Sequence, residues 1–341
     1  YGRKSSETTP NLRFGGIIDR AYRQTGQQVV VLIDEYDLPI INNIHNPALE
    51  KANRSDLKDF YGVMKSMDAK LRFVLLTGVG KLGHLSVFSD LNNLRDITLN
   101  PVYSTICGIT KEELHLYFDE GIQELADAKG WTKERTYAEL KIQYDGYHFA
   151  ENLKDVYNPF SILNCLADNK IKDYWFQTGT PSHLFHILRN SKEEIAALNG
   201  SKITESALTS ADVIAYNPVT YMFYTGYLTI KAYRERYSQF TLGYPNREVE
   251  NGFVGALLPI ITDSKQKDTT NLILQCADLI DQDRIDDFLE ALRAFFAKIP
   301  YDLESRNEFF YQNVIYCVAT LLGCYVQAEY HTSEGRIDLV I

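Results

Sequence analysis

Asp34, Glu35 and Asp37 stand directly behind five apolar residues, Val29-Val30-Val31-Leu32-Ile33, four of them β-branched. Such a run reads as a strand buried on both faces, the form strands take in a parallel sheet. The carboxylates then fall where the strand emerges at its C-terminal edge, and open α/β sheets bind ligands along that edge. A second apolar run, Leu71 to Leu76, ends in Thr77-Gly78. Between the two runs, Arg54 to Met67 has helical spacing, with Leu57, Phe60, Tyr61 and Met64 on one face. Strand, crossover helix, strand makes a parallel βαβ unit. That unit brings Thr77 to the edge that carries the acids.

An apolar strand ending in Asp-Glu resembles the Walker B element of a P-loop NTPase. The resemblance implies that Asp34 holds Mg²⁺, directly or through water, and that Glu35 orients or deprotonates the attacking water. Thr77 stands where ATPases of the AAA type carry the polar residue that senses the γ-phosphate. The plainer alternative, a buried strand followed by a polar turn, stays open on these residues. No G-x-x-x-x-G-K-[ST] occurs in the chain. The Walker A loop is therefore expected upstream of Tyr1, with this chain a fragment. Gly78-Val79-Gly80-Lys81-Leu82-Gly83 matches G-x-G-x-x-G, with Asp96 at a distance suited to a ribose contact. The fingerprint should open a helix, and His84 to Asn93 has a weak helical pattern. It also fails as a Walker A loop, because Leu75 replaces the first glycine and Leu82 the Ser/Thr.

The chain has 341 residues, 45% of them apolar and 23% charged, the balance of a soluble globular protein with two or three domains. No apolar run approaches the ~20 residues that span a bilayer, and no signal peptide heads the chain, so a cytoplasmic location with no membrane partner is expected. Five cysteines without C-x-x-C spacing suggest reduced thiols, all in apolar contexts and read as core. The net charge of -10 argues against a broad nucleic-acid surface while leaving room for a local basic groove.

Leu12 to Arg23 reads as a helix ended by Gly26, and Leu38 to Asn53 as a polar loop with two prolines. Thr110 to about Ser210 is helical in pattern and opens on a capping-box sequence, Thr110-Lys111-Glu112-Glu113. His148, in the aromatic turn Tyr144-Asp145-Gly146-Tyr147-His148-Phe149, has no partner in the sequence and reads as structural. Tyr221 to Ile230 leads into a strand, Phe240 to Tyr244 returns as another, and Pro245-Asn246-Arg247-Glu248 caps a helix through Leu257. Helix, hairpin and helix at this spacing suggest a winged-helix module, and Glu248 and Glu250 favour a packing or lid role over DNA binding. Arg284 to Ile299 is an amphipathic helix.

Glu308 to Val326 forms another helix, followed by a hairpin whose second strand, Arg336 to Ile341, carries Asp338 among aliphatics. This order resembles the start of a PD-(D/E)XK nuclease core, which continues into a strand bearing Glu-x-Lys. Two carboxylates there bind Mg²⁺ and the lysine steadies the attacking water or leaving charge. The chain stops before any such strand, which is expected in the longer protein, and an ordinary helix and hairpin is the alternative.

Taken in order, Val31 to Asp37, Phe73 to Val79, Phe88 to Leu94, Tyr144 to Phe149, Val156 to Ser161 and Gly335 to Asp338 resemble one family across essentially the whole chain. It is the bacterial, Bacteroidetes-type AAA-ATPase-like proteins with a C-terminal PD-(D/E)XK nuclease-like domain. The resemblance implies an α/β fold: a partial P-loop NTPase-like parallel sheet, a helical and winged-helix region, and the start of a PD-(D/E)XK-like domain. It implies domains at 1–105 (ATPase), 106–215 (helical, lid-like), 216–300 (winged-helix-like and helical) and 301–341 (truncated nuclease-like). Asp34 and Glu35 match the Walker B acids, Thr77 the sensor position, and Glu308 and Asp338 the first two nuclease acids, with Asp34, Glu308 and Asp338 as metal ligands. Arg95 is a candidate trans-acting finger in a ring of subunits, with a surface salt bridge as the alternative.

ATP and Mg²⁺ are the expected cofactors of the longer protein. DNA or RNA is the expected partner of its C-terminal domain, together with protein partners and oligomers. Two functions follow from the resemblance. One is an ATPase coupled to a metal-dependent nuclease; the other is a nucleotide-dependent regulator or scaffold with a degenerate nuclease-like module. By itself this chain is expected neither to turn over ATP nor to cleave DNA.

Overall fold

A computed structural model describes residues 2, 4–43, 46–78, 87–88, 91, 94–178, 184–185, 188, 195–209, 217–299, 308–324, 327–331 and 336–340. Residues 308–309, 327–331 and 336–340 are described by their backbone alone. The fold is mixed α/β, mostly helical, with one small parallel sheet. The chain divides into two compact units, 1–97 with 204–225, and 98–203 with 226–341.

The first unit is built on α1 (Pro10–Thr25), β1 (Val29–Ile33), α2 (Leu38–Ile41), α3 (Pro47–Ser66) and β2 (Leu71–Leu76). Gly26, at φ 67°, ends α1 in the left-handed conformation. β1 and β2 pair in parallel, with Val30 opposite Phe73 and Ile33 opposite Leu76, as the βαβ reading requires. α1 packs on α3, where Phe14 stacks on Phe60 at 4.7 Å between ring centroids. Val31 is buried, on the strand that packs against α1.

The expectation that β1 is buried on both faces is corrected. Val30, Leu32 and Phe73 are 50%, 69% and 53% exposed, because no described element covers that face of the sheet. The expected loop from Leu38 to Asn53 is also corrected. It contains α2 and the first two turns of α3, which begins at Pro47 behind the Asn46 cap. Both prolines lie in a first helical turn, where the missing N–H has no intrahelical partner to lose.

In the second unit, α4 (Lys111–Tyr117), α5 (Asp119–Lys129), α6 (Lys133–Tyr144) and α7 (Pro159–Asp168) enclose a core. It contains Leu114, Ile122, Leu125, Leu140, Tyr144, Ile162 and Cys165. Thr110 and Glu113 form the reciprocal capping box, and the helix it opens breaks at Phe118. A three-stranded sheet follows in the order β3 (Lys202–Thr204), β5 (Gln239–Gly243), β4 (Thr229–Arg234). Asn246 then caps α8 (Arg247–Ile261) by accepting from the Val249 N–H at 3.1 Å. α9 (Gln266–Asp281) and α10 (Ile285–Lys298) form a helical hairpin, and α11 (Glu308–Leu321) packs on α8. β6 (Gln327–His331) and β7 (Arg336–Val340) pair antiparallel, giving the hairpin expected after α11. The expected helix to Val326 ends instead at Leu321. Cys165, Cys276 and Cys317 are core, whereas Cys107 is exposed and Cys324 half-buried, which corrects the reading of all five as core.

Glu248 is completely buried. One oxygen accepts from the backbone N–H groups of Tyr174 and Trp175 at 2.6 and 2.9 Å, and the other from the Ser161 hydroxyl at 2.7 Å. Burial holds the carboxyl above its ordinary range, against the pull of those donors. Burial does the same for Asp145, Asp173 and Glu250. A carboxyl raised in the folded state stabilises below its unfolded value and loses that contribution as pH rises through the folded value. Exposed Glu113, Asp119, Glu134 and Asp168 are lowered by hydrogen bonds and act only below that window. Thermal unfolding of the second unit is therefore expected at higher temperature in the ordinary carboxylate range than at neutral pH. Glu248→Gln flattens the difference, as differential scanning calorimetry of both proteins will show.

Candidate nucleotide site at the strand ends

The β1–β2 ladder continues past the strand ends. The Thr77 N–H donates to Ile33 O and the Tyr36 N–H to Thr77 O, each at 2.9 Å. This register sets Asp34 and Thr77 side by side, and the Thr77 hydroxyl donates to Asp34 Oδ1. The other Asp34 oxygen makes no hydrogen bond among the described residues, and the carboxylate is exposed. Glu35 follows at φ 51°, in the left-handed region that side chains beyond glycine rarely occupy. The Leu38 N–H closes the turn on Glu35 O at 3.1 Å, and the Glu35 carboxylate stays in solvent.

Asp37, which carried no role in the sequence reading, is completely buried. Its carbonyl accepts from Ile40 and Ile41 at 2.9 and 3.0 Å, anchoring α2. A Cβ on Gly78 would lie 2.7 Å from Asp37 Oδ1 and 2.7 Å from Tyr36 Cε1. The end of β2 thus fits against Asp37 only because residue 78 is glycine. Tyr36 and Tyr61 flank the same place, and Phe88 packs on both at 4.9 and 5.5 Å between centroids. Burial, with the Asp37 charge second, raises both tyrosine hydroxyls. Gly78→Ala is expected to destabilise the first unit by about 1–3 kcal/mol through overpacking, read from a denaturant midpoint. The burial of Asp37 has no local signal, since it depends on β2, which lies more than thirty residues away in sequence.

Arg95 is exposed and forms no ion pair among the described residues. Glu308 begins α11 and Asp338 lies on β7, against which α11 packs, but both side chains lie outside the described residues. Most of the G-x-G-x-x-G stretch, 79–83, also lies outside them. Among the described residues no group of three or more His, Cys, Asp or Glu side chains could hold a metal. Asp34 alone still fits Mg²⁺, which commonly takes one or two carboxylates and completes its shell with water and substrate phosphates.

His148 has the partners that the sequence hid. Nδ1 lies 2.6 Å from Ile230 O and Nε2 2.5 Å from Asp155 Oδ1. With both ring nitrogens engaged, the ring ties the aromatic turn to β4 and is no free base or ligand.

Residues 1–88 match the model of a family described as predicted AAA-ATPase. The match includes Asp34, Glu35 and Thr77. An Azotobacter chroococcum protein, described as an uncharacterized protein in the vnfD 5′ region, is 34% identical over 339 residues. That alignment covers 96% of this chain, which spans 63% of the relative's length. No solved structure matches the chain. No helix among the described residues is long and apolar enough to cross a membrane.

Proposed function

We propose that residues 1–97 carry the acidic half of an AAA-like ATP site, in a protein that couples ATP turnover to a metal-dependent nuclease-like domain acting on nucleic acid. The observation that supports this most is the hydrogen bond between Thr77 and Asp34 at the C-terminal ends of two adjacent parallel strands. Asp34 would hold Mg²⁺, which neutralises phosphate charge when bound. The Thr77 hydroxyl fixes the Asp34 carboxylate and faces the same edge. Glu35 takes the proton of the attacking water or orients it, and its left-handed backbone is strain of the kind that accumulates at functional sites. The uncovered face of Val30, Leu32 and Phe73 suits a sheet whose remaining cover, including the phosphate-binding loop, belongs to the longer protein.

In the C-terminal half, Glu308 and Asp338 are the proposed metal carboxylates, and the hairpin following α11 is consistent with that start of a nuclease core. The second reading, a nucleotide-dependent regulator or scaffold with a degenerate nuclease-like module, draws support from the net charge of -10, which disfavours a broad nucleic-acid surface. The two separate in one assay of the longer protein with Mg²⁺, ATP and mixed single- and double-stranded DNA. Cleavage abolished by Asp338→Ala, with turnover abolished by Glu35→Gln, supports the coupled nuclease. Turnover without cleavage rejects it in favour of the scaffold.

A further inference from the structure

The α9–α10 hairpin carries an apolar stripe that is only half covered. Ile285, Leu289, Leu292 and Phe296 follow one another at spacings of four and three, so they share one face of α10, with Ile299 just past its end. Leu292 and Ile299 are buried within the second unit, whereas Ile285 and Leu289 are 50% and 55% exposed. Ile280, at the end of α9, is exposed beside them in sequence. Residues 280–290 also hold five carboxylates, Asp281, Asp283, Asp286, Asp287 and Glu290, against a single cation, Arg284. Arg284 is already spent on Asp287 at 2.8 Å, and Arg293 lies 3.3 Å from Glu290. Asp281, Asp283 and Asp286 have no cationic partner among the described residues.

We propose that this exposed half of α10 and the adjoining turn form a docking surface for a basic amphipathic helix of a partner protein. A helix laid along α10 continues the three-four spacing already buried at Leu292 and Ile299, the arrangement of helix-on-helix recognition. The acidic rim selects a cationic partner and repels nucleic acid and anionic lipid. It also disfavours a second copy of this chain. A two-fold contact through the same surface sets five carboxylates against five. The inference is independent of the ATPase reading, since it uses no residue of that site.

The test is fluorescence anisotropy with a labelled peptide of leucine and lysine, about 18 residues long so that it can form an amphipathic helix. A peptide of the same composition in scrambled order is the control. Wild type is expected to prefer the amphipathic peptide, and the double variant Ile285→Ser, Leu289→Ser to weaken it at least about tenfold with net charge unchanged. Asp283→Asn with Asp286→Asn is expected to weaken binding and to reduce its salt dependence. Both pairs are solvent-facing, so circular dichroism of the variants should match wild type. Equal binding by wild type and the serine variant overturns the proposal, as does equal affinity for the scrambled peptide. Sedimentation showing a dimer that Leu289→Ser dissolves makes the occupant a second copy and overturns it as well.

Discussion

Replacing Glu35 with glutamine is expected to lower ATP turnover of the longer protein by about 10²–10⁴-fold and to leave the first unit folded. The proton-accepting oxygen is lost, while the shape and the turn remain. Glu35 is exposed and makes no hydrogen bond through its side chain among the described residues, so its removal breaks no packing. Its backbone, at φ 51°, costs roughly 1–2 kcal/mol that a glycine would not incur. The added freedom of an unfolded glycine returns part of that, so Glu35→Gly is expected to raise stability by up to about 1 kcal/mol. Both variants are expected to lose the longer protein's turnover. Loss of turnover in both, with Glu35→Gly more stable than wild type, is the pattern expected of a residue whose backbone strain serves chemistry. Steady-state turnover of the longer protein and chemical denaturation of both variants decide the matter. Full turnover in Glu35→Gln assigns the residue to the turn, and a glycine variant that unfolds more easily shows that its side chain holds the turn.

Glu248→Ala carries the largest expected cost in stability. The substitution leaves the N–H groups of Tyr174 and Trp175 and the Ser161 hydroxyl without their acceptor, inside a region closed to solvent. Each orphaned buried donor costs about 1–3 kcal/mol, so the loss should reach roughly 3 kcal/mol or more. Glu248→Gln keeps one acceptor oxygen for the two backbone donors, and its amide can donate to Ser161, so it should lose about half as much. Ser161→Ala loses about 1 kcal/mol, and the Ser161–Glu248 double-mutant cycle should show a coupling of about 1 kcal/mol. Urea midpoints measure all four. A loss below about 1 kcal/mol for Glu248→Ala would mean that water enters and satisfies the donors.

Local patterns were legible where neighbours in sequence decide the structure. The valine-rich run gave β1, the Thr110–Glu113 pair gave a cap, and the stretch Pro245 to Glu248 gave the start of α8. The parallel pairing of β1 with β2 was legible too, because an intervening helix leaves little other topology. Two misreadings share one cause. Pro39 and Pro47 fall in the stretch that reads as a loop, although proline is at home in a first helical turn. Other features rest on long-range contacts. Ser161 and Glu248 are 87 residues apart, and His148 and Ile230 are 82 apart. Spacing cannot reveal such pairs, so nothing near Glu248 in the sequence marks it as buried, and His148 shows no partner there. At the candidate site, Asp34 and Thr77 were placed by strand order, while Asp37 was overlooked because its burial depends on Gly78 of the neighbouring strand.

The most direct test of the nucleotide site is isothermal titration of the longer protein with ATP, with and without Mg²⁺, beside Asp34→Asn. Binding that strengthens with Mg²⁺ in wild type, and loses that dependence in Asp34→Asn, is the predicted result. The same Mg²⁺ dependence in both proteins would contradict the assignment of Asp34 and move the metal site elsewhere.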